Sequence, residues 1–129
     1  MILLDTHVVA WMNGHSRKLS RAALSAIRRS ERSDGLAISV ISLVELARLV
    51  AANRIEPMGS MEQTLRRLID GITIIPISLE VAARTTYFPP DFPSDPADRV
   101  IAATACAEGI PLVTADQRML DSPLLKTIW

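Results

Sequence analysis

Asp95-Pro96-Ala97-Asp98-Arg99-Val100-Ile101-Ala102-Ala103-Thr104-Ala105-Cys106-Ala107-Glu108-Gly109 runs directly into Ile110-Pro111-Leu112-Val113-Thr114-Ala115-Asp116. Asp95 can cap a helix, and Pro96 suits its first position because that N–H needs no intrahelical partner. An apolar helix from Ala97 to Glu108 then closes at Gly109, a residue that tolerates the left-handed backbone of a helix end. Pro111–Thr114 reads as a strand, and Asp116 begins a further short helix. A helix that feeds straight into a strand is half of a βαβ unit. The fold depends on whether the flanking sequence alternates in the same way.

It does. Upstream, Phe88 to Pro96 holds four prolines in nine residues, a loop too apolar for a flexible linker and therefore expected to pack onto the domain. Before it, Ser78 starts a helix from Leu79 to about Tyr87. Ile72–Ile77 is nearly all β-branched, the expected mark of a strand buried on both faces. Ser60-Met61-Glu62-Gln63 is a capping-box pattern for a helix ending near Gly71. Pro57 and Gly59 break the chain ahead of it. Leu36–Ile41 is β-rich, and Ser42-Leu43-Val44-Glu45 repeats the capping-box pattern for a helix to about Asn53. Ser20 opens a helix with Ala22, Ala23, Leu24 and Ile27 on its buried side, and Asp34-Gly35 turns the chain. Ile2–Leu4 is an opening strand, followed by a short helix capped by Asp5 or Thr6. Leu124–Trp129 is a candidate edge strand. The whole predicts one domain over residues 1–129, with a mostly parallel sheet between helical layers.

Composition fits that picture. The 129 residues are 49% hydrophobic and 22% charged, which excludes disorder and a membrane-embedded chain. No apolar run approaches the ~20 residues of a bilayer span. The single cysteine, Cys106, excludes an internal disulfide and a cysteine zinc cage. No signal peptide is visible at Met-Ile-Leu-Leu-Asp, so a soluble cytoplasmic protein is expected. Fourteen basic and fourteen acidic residues give zero net charge, but residues 1–69 carry +4 and residues 70–129 carry −4. Any contact with a polyanion must be local.

In an open parallel sheet, ligands bind beyond the carboxyl ends of the strands. Asp5 directly follows the first strand, and Glu45 lies in the first turn after the second. Asp98 is in the first turn after the proline loop, and Asp116 comes just past Thr114. Four carboxylates distant in sequence thus fall on one edge, where like charges raise one another's pKa. A divalent cation resolves that conflict. All-oxygen donors favour Mg²⁺ or Mn²⁺, ions suited to hydrolysis of a phosphodiester by activated water. Each acid also has a bland reading. Glu45 can complete a capping box with Ser42, Asp98 can favour its helix dipole, Asp116 can be an N-cap and Asp5 a turn residue.

At these residues the chain resembles the PIN-domain ribonucleases, and among them the VapC-type toxins of bacterial and archaeal toxin–antitoxin pairs. Leu3-Leu4-Asp5-Thr6-His7 is similar to the first acidic motif and Ile41-Ser42-Leu43-Val44-Glu45-Leu46 to the second. Asp95 to Ala103 is similar to the third, and Pro111-Leu112-Val113-Thr114-Ala115-Asp116 to the fourth. The resemblance implies a three-layer α/β/α fold and an acidic quartet of Asp5, Glu45, Asp98 and Asp116 around Mg²⁺. Asp5 and Asp98 would be direct ligands, with Glu45 and Asp116 acting through water, and Asp95 would be the cap. Thr6 and Thr114 would hydrogen-bond a metal water or a carboxylate. The implied reaction is endonucleolytic RNA cleavage leaving a 5′-phosphate and a 3′-hydroxyl. Implied too are a homodimer and a cognate antitoxin lying in a groove walled by Phe88 to Pro93 and the helix from Leu43.

For RNA contact, the strongest basic segment is His15 to Arg32, with net charge +5. Arg17, Lys18, Arg28, Arg29 and, beside Asp98, Arg99 are the candidates, against a merely solvated helix face. His7 reads as packed or solvent-facing, Trp11 as an anchor of the first helix and Cys106 as a small core residue. Aromatic content of 4% gives little support for a base-stacking platform. Two rival functions compete. One is a non-catalytic α/β interaction module; the other is a phosphatase or phosphotransfer domain with Asp5 as nucleophile. The second lacks a lysine near the later motifs, since lysine occurs only at positions 18 and 126.

Overall fold

Alternation of strand and helix carries through the whole computed structural model, which describes residues 1–129. Strand β1 (Ile2–Leu4) leads into α1 (Thr6–Met12), a 3-10 turn at Ser16–Lys18, and α2 (Arg21–Glu31). Strand β2 (Leu36–Ser39) is followed by α3 (Ile41–Ala51) and α4 (Met61–Leu68). Then come β3 (Ile72–Ile75), α5 (Leu79–Arg84), α6 (Pro96–Glu108), β4 (Leu112–Val113), α7 (Gln117–Leu120) and β5 (Thr127–Ile128). All five strands are parallel, in the order β3-β2-β1-β4-β5.

Helices cover both faces of this sheet, giving three layers. Strand side chains alternate between two cores. Ile2, Leu4, Leu36, Ile38 and Val113 pack with Val8 and Val9 of α1, Ala23 and Ile27 of α2, Leu46 of α3 and Leu68 of α4. Leu3, Ala37 and Leu112 face the opposite way, onto Val81 of α5, Ile101 to Ala103 of α6 and Met119 of α7. Leu3, Leu4, Ala37, Ile38, Leu112 and Val113 are all fully buried, as central parallel strands require. Truncating a leucine here to alanine costs about 2–5 kcal/mol.

Local signals set most boundaries. Ser20 and Ser78 cap α2 and α5, and Ser60 with Gln63 forms the reciprocal box at α4. Asp95 caps α6 through the Ala97 N–H, and Gly109 ends it at φ 64°. The proline loop packs as expected, with Phe88, Phe92 and Pro93 buried and the two rings stacked at 4.2 Å. Those phenylalanines belong to the core on the α5–α6 side of the sheet.

Three expectations change. Strand β3 is an edge strand with Thr73 and Ile74 exposed, so its β-branched run reflects backbone preference and not burial on both faces. Helix α5 stops at Arg84, because the Thr85 and Thr86 hydroxyls donate to the Ala82 and Ala83 carbonyls and turn the chain away. In α2, Ala22 is exposed and Ser30 is buried. No helix is long and apolar enough to cross a membrane.

Candidate active site

Strand order reverses on either side of β1, so the carboxyl ends of β1 and β4 form the crevice where open α/β sheets bind ligands. Asp5 sits there as the first residue past β1, its N–H bonded to the Val113 carbonyl at 3.0 Å. Its carboxylate is 8% exposed and held from two sides. Oδ1 accepts from the Thr6 N–H at 2.8 Å, and Oδ2 accepts from the Thr114 hydroxyl at 2.8 Å. Thr114 is itself oriented, since its Oγ1 accepts from the Asp116 N–H at 3.1 Å. The hydroxyl's one proton is therefore directed at Asp5.

Glu45 reaches the crevice from the first turn and a half of α3. The expected capping box between Ser42 and Glu45 does not form. Val40 occupies the cap position without a side-chain bond. Both side chains turn to Thr6 instead, whose Oγ1 lies 2.6 Å from Glu45 Oε1 and 2.9 Å from Ser42 Oγ. An ionised carboxylate can only accept, so Thr6 donates to Glu45 and fully buried Ser42 donates to Thr6. Asp98 lies in the first turn of α6 and makes no hydrogen bond; Asp95 does the capping, 2.9 Å from the Ala97 N–H. Asp116 caps α7, accepting from Arg118 and Met119.

Electrostatics record how closely these groups are gathered. Burial pushes the Asp5 carboxyl above its ordinary range, offset by the Thr114 and Thr6 bonds and raised again by Asp116. Glu45 is raised by burial first, with Asp5 and Asp95 adding to it and Thr6 opposing. Asp98 is pushed up to about 7, by burial first and then by repulsion from Asp5, Asp95, Glu45 and Asp116. No lysine or arginine pairs with any of the four; the ion pairs of the molecule lie elsewhere. No group of three or more His, Cys, Asp or Glu side chains is arranged to hold an ion jointly.

The family model of the PIN domain matches residues 2–122. This chain belongs to the PIN-domain family. Among relatives of this PIN domain is a protein of Mycobacterium tuberculosis named ribonuclease VapC22. The two are 39% identical over 130 residues, which cover 99% of this chain and 98% of that one. Solved structures with the same fold include VapBC2 of Rickettsia felis bound to a promoter DNA fragment. It has a TM-score of 0.75 at 20% identity, covering 98% of this chain and 97% of that one. FitAcB of Neisseria gonorrhoeae gives 0.67 at 25% identity, with 98% and 96% covered.

The basic candidates are not all gathered with the acids. Arg17 and Lys18 are exposed on the 3-10 turn, and Lys18 Nζ stands 5.8 Å from the Trp11 ring centre. Arg28 and Arg29 occupy the last turn of α2. That turn leads through Gly35 into the amino end of β2, so both lie toward the edge opposite the carboxylates. Arg99 is spent on the proline loop: its guanidinium donates to the Thr85, Phe88 and Pro89 carbonyls at 3.3–3.4 Å and sits over the Phe92 ring. The Ser42–Thr6–Glu45 chain is the feature that sequence reasoning missed in detail. Its sequence signal was only that a hydroxyl follows Asp5.

Proposed function

We propose that this PIN domain is a metal-dependent endoribonuclease, the toxin of a toxin–antitoxin pair, acting in the cytoplasm through Asp5, Glu45, Asp98 and Asp116. One observation carries the reading. Glu45 and Asp98 cap no helix and have no cationic partner, yet they stand buried enough beside Asp5 to raise their own pKa values. A carboxylate placed at such cost, without a capping role, calls for a cation from outside the chain.

The donors fit Mg²⁺ or Mn²⁺. They are all oxygen, and Mg²⁺ takes few protein carboxylates while keeping several waters. Asp5, fixed by two donors, and Asp98, whose carboxylate accepts from none, would hold the ion directly, and Glu45 and Asp116 would support it through water. When bound, the ion supplies an activated water and neutralises charge on the phosphate. Thr114 and Thr6 hold Asp5 and Glu45 in place, the kind of support that fixes ligand geometry. With its carboxyl pushed up to about 7, Asp98 is partly protonated near neutrality in the absence of a cation. The wall of hydrophobic strands behind Asp5 limits water on that side.

The toxin assignment follows the likeness to ribonuclease VapC22 and to structures described as toxin–antitoxin complexes. An antitoxin partner and a homodimer are part of it. Exposed Val44, Ile74, Ile77 and Leu79 supply apolar surface for such contacts.

The test is incubation of the purified protein with single-stranded and structured RNA. Cleavage is expected with Mg²⁺ or Mn²⁺ and none with EDTA, and it should disappear in Asp98→Asn. Activity that persists in EDTA would remove the metal from the reading. Release of phosphate from a monoester through an acid-labile aspartyl phosphate would replace it with a phosphotransfer chemistry.

A further inference from the structure

Away from the carboxylates, the molecule holds a cavity that the nuclease site does not use. Its volume is about 260 Å³, and it opens where the last turn of α6, the end of α5 and the segment leading into β5 come together. Cys106 lies eight residues along α6 from Asp98, about 12 Å at 1.5 Å per residue, and none of the four site acids lines the cavity. The floor is core, since Phe88 and Ala105 are buried. The rim is open, with Tyr87 66% and Leu124 52% exposed. The lining is mostly apolar yet carries two cations, Arg84 and Lys126, and no acid. Lys126 is exposed and makes no ion pair. Arg84 spends Nε and Nη2 on Glu80 one turn back, and an exposed pair of that kind contributes little. Burial pushes the Cys106 thiol up while the Arg84 charge opposes it, which puts the field of that cation inside the cavity.

We propose that this cavity binds a small amphipathic anion, a carboxylate carrying a short acyl or aryl group. Size, lining and charge each select that class. An apolar cavity of ~150 Å³ takes a benzene ring, so this one takes roughly ten non-hydrogen atoms. The apolar floor favours hydrocarbon, and the two cations at the rim favour a negative head group that fixes its orientation. Enclosure by three chain segments suits a molecule that enters, whereas a protein partner covers a face of ~800 Å². The inference is independent of the nuclease reading and stands or falls without it.

Octanoate is a probe of the right size and charge, and octanol is its neutral match. Cys106 is the only cysteine, so its reaction with a thiol reagent at about pH 8.5, where the thiolate forms, reports occupancy of the cavity. Octanoate should slow that reaction saturably, with a Kd on the order of 0.1–1 mM, and octanol should bind about tenfold more weakly. Lys126→Gln, on an exposed side chain, should weaken octanoate roughly tenfold and leave both octanol binding and the melting temperature unchanged. In a nitrogen-15 spectrum, octanoate should move the amides of Gly109 and Leu125 and leave that of Asp5 in place. No protection by octanoate at about ten times that Kd, equal protection by octanol, or unchanged octanoate affinity in Lys126→Gln would each overturn the proposal. Protection that rises with protein concentration alone would give the surface to a second copy. Protection by an acidic leucine-containing peptide but not by octanoate would give it to a protein partner. Either result removes the small anion.

Discussion

At the start of α4, Ser60 and Gln63 each bond to the other's backbone N–H, at 3.1 and 2.8 Å, and close the first turn of the helix. At the start of α3, Ser42 and Glu45 have the same spacing but leave the backbone alone and converge on Thr6. The difference lies in what surrounds each turn. The α4 turn is exposed, so its side chains have only water and their own backbone as partners. The α3 turn lies against α1 in the crevice, where a buried hydroxyl competes for both. A capping box is thus a local preference of modest size, about 1 kcal/mol, that a tertiary hydrogen-bond partner can override. Where it is overridden, a carboxylate is left facing a site instead of a helix end.

The sharpest way to break this contrast is to remove the charge from Glu45 alone. Glu45→Gln still accepts from Thr6, so the fold should keep its thermal midpoint in EDTA, while RNA cleavage falls on the order of 10²–10³-fold. A midpoint lowered by several degrees with cleavage intact would return Glu45 to a structural role. Thr6→Val comes next. It strips the shared hydroxyl and leaves Ser42 buried without its acceptor. Cleavage should drop roughly 10–100-fold, and stability by about 1–3 kcal/mol, measured by denaturant titration.

A pH series addresses Asp98, the other acid that caps nothing. Its carboxyl rises from 3.8 to about 7 on folding. Between those values the folded chain holds a proton that the unfolded chain has released, so stability from this group declines as pH rises and levels off above about 7. In EDTA the melting temperature should fall from pH 5 to pH 8, and Asp98→Asn should flatten that slope. Adding Mg²⁺ at pH 8 should recover part of the loss. The smallest effect belongs to α4. Ser60→Ala should cost about 1 kcal/mol, roughly 3–5 °C of melting temperature, with cleavage unchanged.

Much of the architecture was legible because helix caps and β-branched runs are local. Ser20, Ser78, Asp95 and Gly109 mark helix ends in the chain and mark them in space. The four acids gather for the same reason: each follows a strand or opens a helix in a parallel sheet, and those points share an edge. What was not legible depends on neighbours distant in sequence. Ile72–Ile75 announces a strand but not that it lies at the rim of the sheet, partly exposed. Arg99 stands next to Asp98, yet its guanidinium is claimed by carbonyls 10–14 residues away. His7 and Trp11 have the four-residue spacing of one helix face, but nothing local brings Trp129 against Trp11.

The bond from Thr114 to Asp5 joins residues 109 positions apart, and it has a consequence in time. A chain still being made has β1 and α1 early, but β4 and its threonine arrive only after α6 has been made. Until then Asp5 lacks both its Thr114 donor and the Val113 carbonyl that anchors its backbone. The carboxylate of Asp5 therefore takes its final setting only when β4 docks against β1.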